Sequence, residues 1–427
     1  MSVPLDRLYN HLDGLCNHDI LIYRFMPHGS KKLEDLHPLV SNTDWLSRLT
    51  TPLMICHDQE PLNYKCYTVN ELNQATANYP WSPELREIAS RIPLRGMTGL
   101  PQNCFDLVLL THSEMHSSEL LHFEQNGFVG VYWWSHAVIA RDWYRYAQYD
   151  TDLVPKLDDI QSDFLIYNRA WSGTREYRLK FSELIVNHNL QTKCRMKFNA
   201  QDQTHYRDHE FLNTNLTINR YDLEDFFEIN NNGASSSADY MTEDYSQAGM
   251  EIVLETLFDD TRWHLTEKAL RPIACGRPFM LAATPGSLQY LRQYGFKTFG
   301  EFINEDYDLI QDPVQRLEAI TKEMQRIANL ESVEKRKLWG KLYDIAHHNQ
   351  LLFFSDAWHT SIFAEFVNNA NHALDIMWQN RSGKYWVELR SKIKKDFYDP
   401  NGIIKSHPTE KLLDWLRADI PKIKASV

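Results

Sequence analysis

The residues Asp106-Leu-Val-Leu-Leu-Thr111, Ser113 to Asn126 and Val129-Gly-Val-Tyr-Trp-Trp134 decide the fold class. The first is an apolar run of strand length that ends in a polar cluster, as a buried parallel strand does. The second places Leu120, Leu121 and Phe123 at helical spacing and stops at Gly127, so it reads as a helix. The third is another apolar run. A strand, a helix and a strand in close succession form the repeating unit of a doubly wound α/β sheet. Upstream, Asp19-Ile-Leu-Ile-Tyr-Arg-Phe25 and Pro52-Leu-Met-Ile-Cys56 have the same character and extend the parallel sheet.

Downstream of the polar stretch Asp150–Ser162 the rhythm restarts. Phe164-Leu-Ile-Tyr167 reads as a strand, followed by the basic loop Asn168-Arg-Ala-Trp-Ser-Gly-Thr-Arg175 and a helix through Asn187. Glu251–Thr256 is a second strand. Thr266–Cys275 is a short helix with Thr266 as cap, a kink expected at Pro272 and Gly276 as its stop. Pro278-Phe-Met-Leu-Ala282 opens a third strand. The Asn-, Ser- and Asp-rich segment 230–245 reads as a loop, and the chain is helical from Asp312. The expected organisation is therefore two α/β domains, 1–155 and 156–330, and a helical segment, 331–427.

Composition excludes several classes. A chain of 427 residues with 43% hydrophobic residues is large enough for two domains with sizeable cores and is not a disordered protein. No apolar run reaches the roughly 18 residues of a membrane span, and no secretory signal opens the sequence. Cys16, Cys56, Cys66, Cys104, Cys194 and Cys275 stand singly, without a CxxC pair, which points to reduced thiols and a cytoplasmic protein. The net charge of −12 argues against a surface built wholly for polyanions. The sign is uneven, however. From Glu331 to Val427 there are 15 Lys and Arg against 12 Asp and Glu, a net of +3, so the first 330 residues carry −15. Arg381–Lys395 holds six cations against Glu388 alone; it reads either as a solvated helix face or as a polyanion contact.

The chemistry-bearing motifs are few. Gly-x-Gly-x-x-Gly, the Walker loop, His-Glu-x-x-His and Gly-x-Ser-x-Gly are all missing, which disfavours classical dinucleotide enzymes, P-loop NTPases, zincins and α/β-hydrolases. Glu267 and Lys268 open a helix that follows a strand. Free N–H groups and a positive dipole end there would suit a phosphate, with Lys268 adding a charge and Glu267 accepting ribose hydroxyls. An equally open reading makes Glu267 a simple dipole partner and Lys268 a solvated cation.

Glu255, Thr266-Glu267-Lys268 and the following Ala-x-x-Pro-x-x-x-Gly-x-Pro pattern resemble the nucleotide-sugar signature of GT-B glycosyltransferases of the fucosyltransferase kind. Together with His57-Asp-Gln-Glu-Pro-Leu62, Trp134-Ser-His-Ala-Val-Ile-Ala-Arg-Asp-Trp143 and Ser237-Ala-Asp-Tyr240, the block resembles a glycosyltransferase-like family of tailed phages and marine bacteria. The shared stretches lie across Ile55–Phe299. Thr256 departs from the pattern, where the fucosyltransferases carry Asn. The resemblance implies two Rossmann-like domains, the amino-terminal one for the acceptor and the second for a UDP- or GDP-sugar. It also implies that Glu267 holds the ribose, that Lys268, Arg169 and Arg175 hold the diphosphate, and that Glu255 faces the donor sugar or ribose.

On this reading the base comes from the amino-terminal domain. Asp58 and Glu60 follow the strand Pro52–Cys56, with Asp58 slightly preferred, and either could take the acceptor hydroxyl's proton. Turn capping is the competing role for both. His136 is an alternative base, an acceptor contact or a structural histidine, and Arg141 is a candidate acceptor contact. Asp150-Thr-Asp152 mimics a metal–diphosphate motif but sits in a polar inter-domain stretch and reads as linker. With Arg169, Arg175 and Lys268 to neutralise the diphosphate, neither a metal nor another cofactor is called for. The acceptor is open between hydroxymethylated pyrimidine in phage DNA, with Arg390, Lys392, Lys394 and Lys395 tracking phosphates, and a cell-surface glycan or protein. The rival classes are a non-catalytic nucleotide- or carbohydrate-binding protein and a sugar-nucleotide epimerase of the same fold.

Overall fold

The structure, a computed structural model, describes residues 21–25, 53–57, 61–62, 108–125, 128–202, 204–229 and 239–379. The protein is mixed α/β, with two parallel sheets, and divides into two compact units.

The first unit carries a four-stranded parallel sheet of β1 (Leu21–Phe25), β2 (Leu53–His57), β3 (Val108–His112) and β4 (Phe128–Tyr132), in that spatial order. The helix α1 (Ser118–Gln125) joins β3 to β4, as the apolar spacing of Leu120 and Leu121 leads one to expect. Close packing between the two is fixed at Gly130, where a Cβ would lie 3.0 Å from the Leu120 side chain. Leu109, Leu110 and Val131 are fully buried. From Ala364 onward the long helix Asp356–Gln379 also belongs to this unit. There Phe366 packs on Trp133, ring centroids 4.9 Å apart, and Asn369 Nδ2 donates to the Tyr132 carbonyl at 2.7 Å.

The second unit contains Trp134–Phe363 together with Glu114–His116. The sequence-derived boundaries at 155 and 330 both fall inside it. Its sheet consists of β5 (Ser162–Asn168), β6 (Cys194–Phe198), β7 (Glu228–Ile229), β8 (Ala248–Leu254) and β9 (Phe279–Ala282). The strands are all parallel, in the order β7-β6-β5-β8-β9. β8 is buried along its whole length and β5 nearly so, as central strands covered on both faces must be. The chain runs outward from β5 to β6 on one side and from β8 to β9 on the other. Right-handed crossovers in opposite directions put the connecting helices on opposite faces. The helix after β5 is α3 (Tyr177–Asn187), and the helix after β8 is α5 (Glu267–Ala274).

The remaining described helices of this unit are α2 (Ser135–Trp143), α4 (Thr242–Ser246), α6 (Ser287–Gln293), α7 (Pro313–Ala328), α8 (Ser332–Phe354) and the start of α9 (Asp356–Gln379). α3 packs with α7, while α5 packs with α2 and α8. Helix α2 follows β4 directly but buries its Ser135–Ala140 stretch in the second unit. Trp134 anchors the entry, donating its indole N–H to the Leu265 carbonyl at 2.8 Å. α8 belongs here because Trp339 lies over β8, where Gly249 leaves the space for its indole. No described helix is long and apolar enough to cross a membrane.

Candidate functional site

In an open parallel sheet a ligand sits beyond the carboxyl ends of the strands, where the strand order reverses. In the second unit that point lies between β5 and β8. The loop after β5 carries Arg169 and Arg175; the loop after β8 runs from Glu255 to the start of α5. One buried guanidinium ties the two together. Arg178, 3% exposed in the first turn of α3, donates to the carbonyls of Arg169, Ala170, Leu254 and Glu255. Its two terminal nitrogens thus hold the ends of β5 and β8 within the span of a single side chain. Ala170, at φ +50°, turns the first loop through the left-handed region.

The start of α5 is satisfied from within the protein. Glu255 is fully buried, and its Oε1 accepts the N–H groups of Thr266 (2.9 Å) and Ala269 (3.2 Å). Its Oε2 accepts the Thr266 hydroxyl at 2.7 Å and the Thr256 N–H at 3.2 Å. Thr266 Oγ1 in turn accepts the Lys268 N–H at 3.3 Å, the cap read from sequence. The expectation of unpaired donors at this helix start is therefore corrected: Glu255 accepts the Ala269 N–H and the Thr266 hydroxyl oxygen accepts that of Lys268. The four acceptor positions of Glu255 are filled by protein, so its role in the structure is to hold the helix start.

What the helix start offers is its two side chains. Glu267 and Lys268 are each 19% exposed, and Lys268 Nζ donates to Glu267 Oε1 at 2.8 Å and to Thr266 Oγ1 at 3.1 Å. Glu267 Oε2 lies 3.6 Å from His136 Nδ1, and the His136 ring meets that of His264 edge-on at 5.1 Å. Burial raises the Glu267 pKa, but Lys268, His136 and the carboxylate's own backbone N–H outweigh it, and the group stays ionised well below the usual carboxylate range. Tyr144 donates its hydroxyl to the Glu267 carbonyl at 3.3 Å, so α2 grips the first turn of α5 from the side.

Across the switch point, Arg169 is 8% exposed. Burial lowers its pKa, the Arg178 charge adds to that, and Asp202 opposes both. Arg175 is half-buried in a single 3-10 turn, Gly173–Arg175, and its Nε reaches the Ser172 carbonyl at 3.5 Å. Ser172 is pinned by Asp202, which accepts its hydroxyl at 2.8 Å. The edge thus combines two guanidinium groups on a constrained loop with a carboxylate–ammonium pair on the facing loop.

The other sequence candidates fall elsewhere. Arg141 donates to the Phe354 carbonyl at 2.8 Å and to Asp356 at 3.0 Å, which caps the carboxyl end of α8. His136 folds with the second unit, 3% exposed, rather than with the first sheet. Asp150 caps its own 3-10 turn through the Asp152 N–H and accepts the Thr242 hydroxyl, which gives Asp150-Thr-Asp152 a structural job. Asp58, Glu60, Arg390, Lys392, Lys394 and Lys395 lie outside the described residues. Among the described residues, no group of three or more His, Cys, Asp and Glu side chains could hold a metal ion. Sequence reasoning missed Arg178 and His264. Nothing in the sequence marks a helix arginine as a strut between strand ends, and a histidine two residues before a cap looks like any loop residue.

No family model, curated protein or solved structure matches this chain.

Proposed function

We propose that the protein is a glycosyltransferase of GT-B architecture that takes a UDP- or GDP-sugar at the carboxyl edge of the second unit. The observation that carries the reading is the Arg178 bridge. It sets the Arg169–Arg175 loop beside the loop leading to Glu267 and Lys268, at the point of strand-order reversal. Cations on two loops suit a diphosphate, and an ionised carboxylate with partial exposure suits a pair of ribose hydroxyls. The resemblance of Thr266-Glu267-Lys268 to the fucosyltransferase signature points the same way.

In the proposed reaction the acceptor oxygen attacks the anomeric carbon as the bond to the nucleoside diphosphate breaks. The acceptor proton passes to a carboxylate, Asp58 or Glu60. The leaving diphosphate gains negative charge, which Arg169, Arg175 and Lys268 stabilise more in the transition state than in the ground state. Glu255 and Arg178 supply the framework. Hydroxymethylated pyrimidine in DNA is one proposed acceptor, with Arg390, Lys392, Lys394 and Lys395 as phosphate contacts; a glycan or protein hydroxyl is the other.

A thermal-shift panel tests the reading, because a ligand bound only by the native state raises the unfolding midpoint. UDP, GDP or their sugars are expected to stabilise the protein where AMP, NAD and free sugars do not. A panel in which no nucleotide or nucleotide sugar shifts the midpoint counts against the proposal.

A further inference from the structure

Glu267 faces an ammonium and a titratable ring from different elements. Lys268 is its neighbour on α5, while His136 reaches it from α2. The two oxygens are divided between them, Oε1 to Lys268 and Oε2 to His136. We infer that His136 is a positioning residue for the anion site: its protonated ring draws Glu267 to itself and leaves Lys268 freer to engage an anionic ligand, a nucleoside diphosphate. The inference rests on the proposed donor site and adds to it a proton-linked control.

A ligand phosphate and Glu267 compete for the same ammonium. Lys268 Nζ shares its donors between Glu267 Oε1 and Thr266 Oγ1. A phosphate must draw the ammonium away from Glu267 or bind it in the presence of that carboxylate. With His136 neutral, Glu267 and Lys268 cancel and the cluster has no net charge. With His136 protonated, the cluster carries one positive charge and the carboxylate has a second cation to face. Proton uptake and anion binding then favour each other, as any two linked equilibria must.

The groups facing the ring support this arrangement. From α5 comes Glu267, with Lys268 on its other oxygen, and from the loop before it the buried His264, 2% exposed. On α2 Arg141 is committed to the end of α8, and just beyond the helix Tyr144 is committed to the Glu267 carbonyl. Glu267 thus lies within 3.6 Å of the ring, and it is ionised throughout the range in which a histidine titrates.

Two measurements separate this inference from the donor-site reading. First, the titration of the His136 ring is followed by NMR in the wild-type protein and in Glu267→Gln. Loss of the carboxylate is expected to move the titration to lower pH; an unmoved titration overturns the coupling without any ligand being present. Second, UDP and GDP are titrated calorimetrically between pH 5.5 and 8.5 into the wild type and His136→Gln, with His136→Asn as a second variant should the first not fold. The nucleotide's own phosphate changes charge in this range, so the readout is the ratio of wild-type to variant affinity. That ratio is expected to fall about threefold to tenfold in all as the pH rises, well within the tenfold per pH unit that one linked proton allows. A ratio independent of pH overturns the inference while leaving the donor site in place. Absence of UDP and GDP binding at every pH, with the NMR shift present, overturns the assignment of the ligand and leaves the His136–Glu267 coupling standing.

Discussion

At its carboxyl half, α5 buries Arg271 at 2% exposure against Glu251 at 0%, with Tyr245 donating to the same carboxylate and the Tyr167 ring 4.3 Å from the guanidinium. At its amino end, the same eight-residue helix presents Glu267 and Lys268 at 19% exposure each. Both clusters pair a carboxylate with a cation. In the first, burial works against the arginine's charge, but Glu251 and its surroundings outweigh it and push the pKa well above the ordinary value. Every polar atom there is turned inward, so the pair can only hold the helix to the sheet. In the second, water and a ligand can compete for the ammonium. Exposure, rather than residue type, separates a structural ion pair from one available for binding.

The sharpest way to break that contrast is at the sealed end. Arg271→Ala leaves Glu251 buried without its cation, and breaking a buried pair costs about 3–5 kcal/mol. The expected outcome is a large fall in the denaturant midpoint of the second unit. A change below about 1 kcal/mol would mean that the cluster is not structural in the sense argued here.

Next in size is the removal of Glu255. Its carboxylate serves the N–H groups of Thr266 and Ala269 and the Thr266 hydroxyl, all buried. Unsatisfied buried donors cost about 1–3 kcal/mol each, so leaving even the two N–H groups without a partner should destabilise Glu255→Ala by at least about 2 kcal/mol. Glu255→Gln keeps one acceptor oxygen and should recover part of the loss, as read from thermal unfolding. Equal stability of the alanine variant and the wild type would return Glu255 to the list of ligand contacts.

The sequence reveals the sheets and the helix start better than it reveals the jobs of individual carboxylates. Apolar runs such as Leu107–Leu110 and Met280–Ala283 announce parallel strands because both of their faces are covered, and Thr266 announces a cap because its hydroxyl has few other uses there. β6, Cys-Arg-Met-Lys-Phe, escapes that reading. Arg195 and Lys197 alternate with buried Met196 and Phe198 and pair with Asp244 and Glu228, so no apolar run forms. β7 has only two residues and gives no pattern. Glu255 at a strand end looks like a ligand contact until the chain returns eleven residues later to place Thr266 over it, and such a return leaves no mark in local spacing. His136 likewise follows a strand of the first sheet, yet its helix buries its apolar residues in the second unit.

A carboxylate whose burial outweighs the arginines near it sharpens the same comparison through pH. Asp308 accepts the Leu288 N–H at 3.1 Å, and burial raises its pKa from 3.8 to about 6. The neutral form is favoured in the folded state, so its contribution to stability is full below pH 3.8 and is lost as the pH rises through about 6. The loss is on the order of 2–3 kcal/mol, and Asp308→Asn should flatten the fall in stability between pH 4 and 7. Glu267 has the opposite sign. Its stabilisation is full above about pH 5 and is lost progressively as the pH falls from 4.5 toward its lowered value, so it opposes the Asp308 slope near pH 4 and adds nothing above about pH 5. An unchanged slope in Asp308→Asn would assign the pH dependence to another group.

The smallest effect on stability is expected where the largest effect on binding lies. Lys268 keeps some exposure where Arg271 has almost none, and an ion pair costs less to break the more water can reach it, so Lys268→Ala should lower the unfolding midpoint less than Arg271→Ala does. A charge-assisted hydrogen bond to a phosphate is worth about 1.5–3 kcal/mol, or about tenfold to a hundredfold in affinity. Calorimetric titration of UDP and GDP into the wild-type protein and Lys268→Ala therefore tests the central claim directly. Nucleotide affinity is expected to fall about tenfold to a hundredfold in a variant that is still folded at the titration temperature; equal affinity in the two proteins would contradict the donor site.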